Sequence, residues 1–342
     1  MTSPVPLIGV RVPPCDRADR VVGAVRRAEE LGFDQAWFPD SQLLWRDVFT
    51  TLTAAALGTE RIGLGTAVTN LATRHPAVVA SAARSVAELA PGRFTLGLGV
   101  GNSSVGPVGM RPSTGTEMRD GFAMLRSLLD GAEWDFGGGA RSRLRDPARV
   151  PLYMAASGPR NLRLAGEIAD GAVLLSGVSA ETLADASARV REGARAAGRA
   201  EVPLVASAFC AVTGDVERAA RRLKPICAGI AQTGGAKALA LSGIHLDVPD
   251  RVEGPYPDLV HAEDWDAAVE ICSRWVSDEA AAAFARAFCL FGTAEEIAAR
   301  LRGLGRAGVA GVYLQHVGSY DLPDDLIEAV GGSVLPLLRE GA

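Results

Sequence analysis

Along the chain, helical stripes of apolar residues are repeatedly cut off by glycine and followed by a short β-branched or aromatic run. Val21, Val25, Ala28 and Leu31 keep one helix face apolar, Gly32 ends it, and FDQAWF follows. The same grammar places Gly58 before RIGLGTAV, Gly92 before RFTLGLGV, Gly171 before AVLLS and Gly308 before VAGVYLQ. Glycine suits these positions because it enters the left-handed conformation that closes a helix. Adding PLIGVRV, VPLYMAA and VPLVASAFCAV gives eight candidate strands, beginning near residues 6, 33, 61, 94, 150, 171, 202 and 309, each followed by a helical segment. Strands this uniformly apolar belong to a parallel sheet covered on its outside. Eight nearly regular units predict an α/β protein of the (β/α)8 TIM-barrel type, in preference to a doubly wound sheet.

Two stretches exceed what such a barrel needs. Residues 131–150, GAEWDFGGGARSRLRDPARV, form a glycine- and arginine-rich excursion before the fifth strand, and residues 225–291 add helices and a Gly/Pro-rich loop before the last βα unit. No linker or low-complexity tract divides the chain. Both are therefore read as insertions in one domain spanning residues 1–342, placed to cover the mouth of the barrel.

Composition narrows the function classes. The 342 residues are 48% hydrophobic but only 6% aromatic, which suits helices packed closely on strands better than an aromatic-rich sandwich. The net charge of −5 comes from acids and bases mixed along the whole length, so neither nucleic acid nor a membrane surface is an expected partner. The N-terminus MTSPVPLIGVRVPP has no basic region leading into a long apolar core, and no apolar run reaches membrane-spanning length; a cytoplasmic protein is expected. Five cysteines, Cys15, Cys210, Cys227, Cys272 and Cys289, lack C-x-x-C spacing and read as buried thiols rather than a disulfide framework or zinc site. No metal is expected; His245 and His261, both in the longer insertion, lack ligand spacing.

The stretch FTLGLGVGNSSVG, from Phe94 to Gly106, invites a dinucleotide-binding reading. That reading fails. A Rossmann turn needs G-x-G-x-x-G opening a helix, but counting from Gly99 and Gly101 the third position is Ser104, and no helix begins before about Thr114. In a barrel strand the alternation means something else: Gly97, Gly99 and Gly101 leave one face without side chains. Such a face either opens space for a flat ring or substrate, or accommodates tight packing against a neighbouring element.

Four stretches together carry a family resemblance: GFDQAWFPD, ERIGLGTAVTNLATRHPAVVASAARSVAELAPGRFTLGLGVGN, PLYMAASGPRNLRLAGEIADGAVLL and FGTAEEIAARLRGLGRAGVAGVYLQ. The chain resembles the bacterial luciferase-like superfamily, and within it the methylenetetrahydromethanopterin reductases and related enzymes that use the deazaflavin coenzyme F420. The resemblance covers nearly the full length apart from the two insertions. It implies a luciferase-like barrel with a tricyclic ring at its C-terminal mouth, hydride exchange between that ring and a substrate, and a homodimer.

The resemblance also implies site residues. Family members form a non-proline cis peptide at the end of the third strand, behind the ring, and the matching pair is Ala67-Val68. The end of the second strand touches the ring, commonly with Asp-His; Asp40 matches, while Ser41 replaces the histidine and cannot serve as an acid or base near neutral pH. The cofactor phosphate would sit on Ser157, Gly158, Pro159 and Arg160. Physically this Ser-Gly-Pro-Arg turn either leaves helix N-terminal amides free for an anion or is a plain βα turn. Gly101 and Ser176 complete the expected cofactor contacts.

Departures from the relatives mark the substrate side. Arg11 stands in IGVRV where the reductases have an acid, and Asn102 follows LGVG where they have aspartate. Arg11 is expected to point into the mouth and bind a carboxylate or phosphate of substrate or cofactor. Ser103 is presented beside Asn102. His75, before a helix, reads as a capping or packing residue. Gln315 and His316 end the last strand, where barrel enzymes place catalytic groups, and their alternating directions let only one face the mouth.

The expected function is an F420-dependent oxidoreductase acting on a small imine, iminium, enone, carbonyl or alcohol, with Ser41, Asn102 and His316 as polar groups near the ring. An FMN-dependent monooxygenase using reduced flavin and O2 is the nearest alternative, since it shares the phosphate site and the bulge. A barrel that binds cofactor without catalysis is the third.

Overall fold

The structure, a computed structural model, describes residues 5–175 and 177–340. Eight parallel strands close on themselves: β1 (Leu7–Arg11), β2 (Gln35–Phe38), β3 (Gly63–Thr66), β4 (Phe94–Gly99), β5 (Leu152–Ala156), β6 (Gly171–Leu174), β7 (Leu204–Val212) and β8 (Val309–Gln315). Each pairs with the next in order, and β8 returns to β1 through the register Leu7 opposite Gly311 and Val10 opposite Leu314. The ring is a (β/α)8 barrel. Helices α1 (Ala18–Leu31), α2 (Val48–Gly58), α3 (Pro76–Leu89), α4 (Gly115–Leu129), α5 (Pro159–Ile168) and α6 (Ala180–Ala196) follow the first six strands, and Ala294–Arg306 leads into β8.

Local chemistry sets these boundaries. The Asp47 carboxylate accepts from the Thr50 amide at the start of α2, and Thr114 with Glu117 forms a reciprocal capping box on α4. His75 caps α3, its Nδ1 accepting from the Ala77 amide at 3.2 Å, which settles it as a capping residue. Gly32 closes α1 at φ +89°. Gly171 does something different from the expected helix stop, because α5 already ends at Ile168. Gly171 opens β6, and a Cβ there would lie 2.4 Å from the Tyr153 ring inside the barrel.

That contact exposes how the interior is filled. Residues two apart on a strand share a face. Trp37, Ala155, Val173, Val205 and Tyr313 form one buried cluster on the inner face, with Ala67, Val68 and Tyr153 packed against it. The Trp37 ring lies 6.5 Å from Tyr153 and 6.0 Å from Tyr313 between centroids. Glycines make room for it: a Cβ at Gly9 or Gly65 would approach Trp37 to 2.9 or 2.6 Å. The barrel is thus a packed core with a closed aromatic floor, leaving chemistry to its mouth.

The first insertion holds a two-stranded antiparallel ladder pairing Trp134 with Ser142 and Asp135 with Arg141. The second excursion already begins at the helix Val216–Ala220 and runs to the helix Asp278–Phe288. It buries its own apolar cluster, including Leu223, Cys227, Leu259, Cys272 and Phe284, apart from the core between barrel and helices. It reaches the mouth through Val260, whose carbonyl accepts from the Ser319 hydroxyl, and His261, whose ring meets the edge of Trp45 at 5.8 Å. Among the described residues no helix is long and apolar enough to cross a membrane.

Candidate active site

The C-terminal end of β3 carries the most distinctive backbone feature. The Ala67–Val68 peptide is cis, at the pair that the family resemblance implies. Val68 then bulges across β4, and the glycines of that strand receive it. A Cβ on Gly97 would lie 2.1 Å from the Thr66 carbonyl oxygen, and one on Gly99 would lie 2.6 Å from a Val68 methyl. Thr66 and Gly97 also exchange two hydrogen bonds, the Thr66 hydroxyl donating to the Gly97 carbonyl at 2.6 Å and the Gly97 amide donating back at 2.8 Å. Of the two meanings open for the alternating glycines, Gly97 and Gly99 therefore serve packing: they make room for the bulge rather than directly for a ring. Gly101, at φ +81°, turns the chain out of the strand.

Asp40 holds the far side of the same bulge. Its buried carboxylate accepts from the Thr69 hydroxyl at 2.7 Å and from Arg74 Nε at 3.2 Å, and Arg74 also pairs with Asp47 at 2.8 Å. Asp40 thus ties the end of β2 to the residue just past the cis bond, and its carboxylate is engaged. Ser41 is buried and shares a 2.7 Å hydrogen bond with Ser103, joining the ends of β2 and β4. Beside it, Gln42 donates to the Ser104 carbonyl at 2.6 Å and Asn70 donates to the Ser104 hydroxyl at 3.0 Å. Asn102 is exposed, and its carbonyl accepts from the amides of Val105 and Gly106.

On β8 the ambiguity of direction resolves. Gln315 shares the inner face of Gly311 and Tyr313, and its amide donates to Ser207 of β7. His316 turns toward a polar cavity of about 820 Å³ that Cys15, Asp16 and Asp321 also line. Among the described residues neither of its ring nitrogens is held in a well-formed hydrogen bond, although the Asp321 backbone lies close enough to favour the charged ring slightly. Burial pushes the imidazole down to about 4, and the charge of Arg11 adds to that shift, so it is neutral at physiological pH.

Arg11 ends β1 on the inner face shared with Gly9, only 9% exposed. Its guanidinium carbon sits 5.1 Å from the centre of the Trp45 ring, whose indole N–H is fixed by the Ser319 carbonyl at 2.6 Å. Burial lowers the guanidinium to about 10, with Tyr313 and Cys15 as its nearest titratable neighbours. Burial also raises Tyr313 and, to about 11, Cys15, so both stay protonated.

Across the ring of strands, Ser157, Gly158, Pro159 and Arg160 form an exposed turn at the start of α5. Gly158 is at φ +72°, no side chain caps the helix, and nothing approaches the position of a Gly158 Cβ within 4 Å. The first-turn amides are open to an anion, and Arg160 forms no ion pair among the described residues. Ser176 lies outside the described residues. The free cysteines are buried except Cys15, which is partly so, and no cluster of metal-ligating side chains occurs among the described residues. Trp45, Tyr313, Ser207, Thr69 and Arg74 are site residues that sequence reasoning missed. Tyr313 shares its face with Gln315 and was open to discovery by strand parity; the others become visible only through long-range contacts.

One mouth of this parallel barrel carries a cis bulge, an aromatic floor and an uncapped helix start, and the proteins the chain matches make it an enzyme of the deazaflavin- and flavin-dependent oxidoreductase kind. Residues 5–311 match the family model described as luciferase-like monooxygenase, and the chain belongs to that family, in the branch that contains the methylenetetrahydromethanopterin reductases. It is 35% identical over 223 residues to the 5,10-methylenetetrahydromethanopterin reductase of Methanolobus tindarius, covering 62% of this chain and 67% of that one. It is 29% identical over 329 residues to the enzyme of the same name from Archaeoglobus fulgidus, covering 92% and 94%. Among solved structures, the coenzyme F420 dependent tetrahydromethanopterin reductase of Methanopyrus kandleri superposes with a TM-score of 0.76 at 24% identity, covering 98% of this chain and all of that one.

Proposed function

We propose that this enzyme transfers a hydride between deazaflavin coenzyme F420 and a small organic substrate such as an imine, iminium, enone, carbonyl or alcohol. The observation that carries the reading is the Val68 bulge, seated in Gly97 and Gly99 and pinned by Asp40 through Thr69, which leaves apolar Ala67 and Val68 partly buried against the aromatic cluster inside the barrel. The reductases this chain resembles support F420 over FMN as the cofactor.

The residues present fit such a group. The open start of α5, with Ser157, Gly158 and Arg160, would hold its phosphate, and Ala67 and Val68 would back its ring. When bound, the deazaflavin supplies a two-electron hydride centre. The chain's own contribution is orientation and exclusion of water: Trp37, Tyr153 and Tyr313 close the floor, and the longer insertion approaches the mouth at Trp45 and Ser319. The Ser41–Ser103 pair offers hydroxyls that orient polar atoms without titrating.

The test is a parallel titration of purified protein with F420 and FMN, followed by cofactor fluorescence. F420 is expected to bind and FMN to bind weakly or not at all. Tight FMN binding with no response to F420 would favour the monooxygenase reading, which the family's name keeps in view.

A further inference from the structure

Arg11 is mostly buried and has no counter-ion among the described residues, its guanidinium nitrogens keeping only a narrow contact with solvent. Among the described residues, no carboxylate pairs with it and no acceptor receives a hydrogen bond from its guanidinium, while its neighbours Tyr313, Cys15 and His316 are all neutral at physiological pH. Other arginines near the barrel ends differ sharply. Arg74 has Asp40 and Asp47, and Arg93 donates to Thr59 and to the carbonyls of Ile62, Ala56 and Thr59. A buried charge left unpaired is costly, so a position like that of Arg11 calls for a partner from outside the fold. His316 lies in the same neighbourhood, and among the described residues neither of its buried ring nitrogens is held in a well-formed hydrogen bond, the Asp321 backbone being its only polar approach.

We infer that the substrate is an organic monoanion, a carboxylate, whose charged end is held by Arg11 beneath the face of Trp45 while its reacting carbon points toward the barrel axis. The titratable groups coupled to Arg11 are neutral, while Asp16 and Asp321 line the cavity beyond Cys15 and His316, so one negative charge matches Arg11 and a second would lack a cation and face those carboxylates. The cofactor's phosphate is a different anion at a different place. Arg11 ends β1 and the proposed phosphate turn follows β5, four strands away around a closed ring of eight and so directly across the mouth. The inference deepens the hydride-transfer reading of this site and rests on it for the role of the reacting carbon.

The test uses trans-cinnamate and its neutral amide, cinnamamide, which share shape and a conjugated carbon–carbon double bond but differ in charge. Each is titrated calorimetrically into the full-length protein, without cofactor and after saturation with F420, for wild type, Arg11→Lys and Arg11→Gln. Wild type is expected to prefer cinnamate by roughly tenfold or more, the scale of one charge-assisted hydrogen-bonded pair. Arg11→Gln should bring the two ligands to within about twofold of each other, and Arg11→Lys should keep part of the preference. F420 affinity should stay unchanged in both variants.

Equal binding of the two ligands by wild type overturns the inference, as does a preference that survives Arg11→Gln. Loss of F420 affinity in Arg11→Gln, with the cinnamate preference intact, assigns Arg11 to the cofactor instead. Should Arg11→Gln not fold, the wild-type comparison and Arg11→Lys still decide. Failure of F420 to bind at all would sink the cofactor reading alone, because the titration without cofactor reports the carboxylate preference independently.

Discussion

Gly97→Ala is the substitution that probes the mouth most sharply. The new methyl would lie 2.1 Å from the Thr66 carbonyl oxygen and 3.3 Å from a Val68 methyl. An ordinary carbon–oxygen contact needs roughly 1 Å more, and the obstacle is backbone on an adjacent strand, not the tip of a flexible side chain. Relieving it by parting β3 from β4 breaks the pair of buried hydrogen bonds that Thr66 exchanges with Gly97. Overpacking of this kind costs about 1–3 kcal/mol, and two lost buried hydrogen bonds add about 1 kcal/mol each at the least, for a total of roughly 3–5 kcal/mol. Gly99→Ala is the matched control. It meets only a Val68 methyl, at 2.6 Å, which side-chain and local adjustment can relieve for about 1–2 kcal/mol. Urea unfolding followed by circular dichroism reads the stability of both variants, and F420 titration reads the cofactor wall. Gly97→Ala should be the less stable of the two and should bind F420 more weakly than wild type. A Gly97→Ala protein within about 1 kcal/mol of wild type, with unchanged F420 affinity, would refute the reasoning.

Two further predictions concern charge. His316 is held neutral by burial, helped by Arg11, so its folded value of about 4 lies below the ordinary 6.5. Above pH 6.5 the ring is neutral whether the chain is folded or not; below it the unfolded chain takes up a proton that the folded one refuses, and stability falls until the folded value is reached near pH 4. The loss attributable to this ring over that window is about 3 kcal/mol, so His316→Gln should flatten the acid limb of a stability–pH curve by that order; an unchanged slope would show the ring is not held neutral. Asp40→Asn removes one partner of a buried ion pair, a change that costs about 3–5 kcal/mol when the other charge is stranded. Because Arg74 keeps Asp47 at 2.8 Å, the low end is expected, together with weakened F420 binding, since the amide has one acceptor oxygen and must turn its NH2 toward either Arg74 or Thr69. Denaturant midpoints and cofactor titration of this variant check both effects.

The barrel was legible because parallel strands buried on both faces read as short continuous apolar runs, and because a glycine falls at or near the junction between helix and strand, as Gly32 does after α1. Arg11 stood out for another reason: in IGVRV it replaces the acid of the reductases the chain resembles, and the strand's direction places it on the inner face beside Gly9. Glycine was harder to read, since its meaning depends on what lies opposite. Gly171 looks like a helix stop but accommodates the Tyr153 ring, and Gly97, open in sequence to either free space or tight packing, accommodates the Thr66 carbonyl of the neighbouring strand, 31 positions earlier. The direction of Gln315 against His316 needed only the parity of β8, which the sequence did not anchor until Tyr313 was placed on the inner face. Asp40 was found as a residue of the mouth, yet its partners Thr69 and Arg74 lie 29 and 34 positions along the chain and follow no local spacing rule.

The hydride transfer proposed for this barrel runs from a deazaflavin and without oxygen. Rapid mixing of the enzyme and reduced F420 with a panel of enones, imines and ketones, under strict anaerobiosis, tests it most directly when the hydride-bearing carbon of the cofactor is deuterated. The account predicts oxidation of F420 with stoichiometric deuterium in the reduced product. Turnover that requires O2 and reduced FMN, with no deuterium passing from F420, would contradict it.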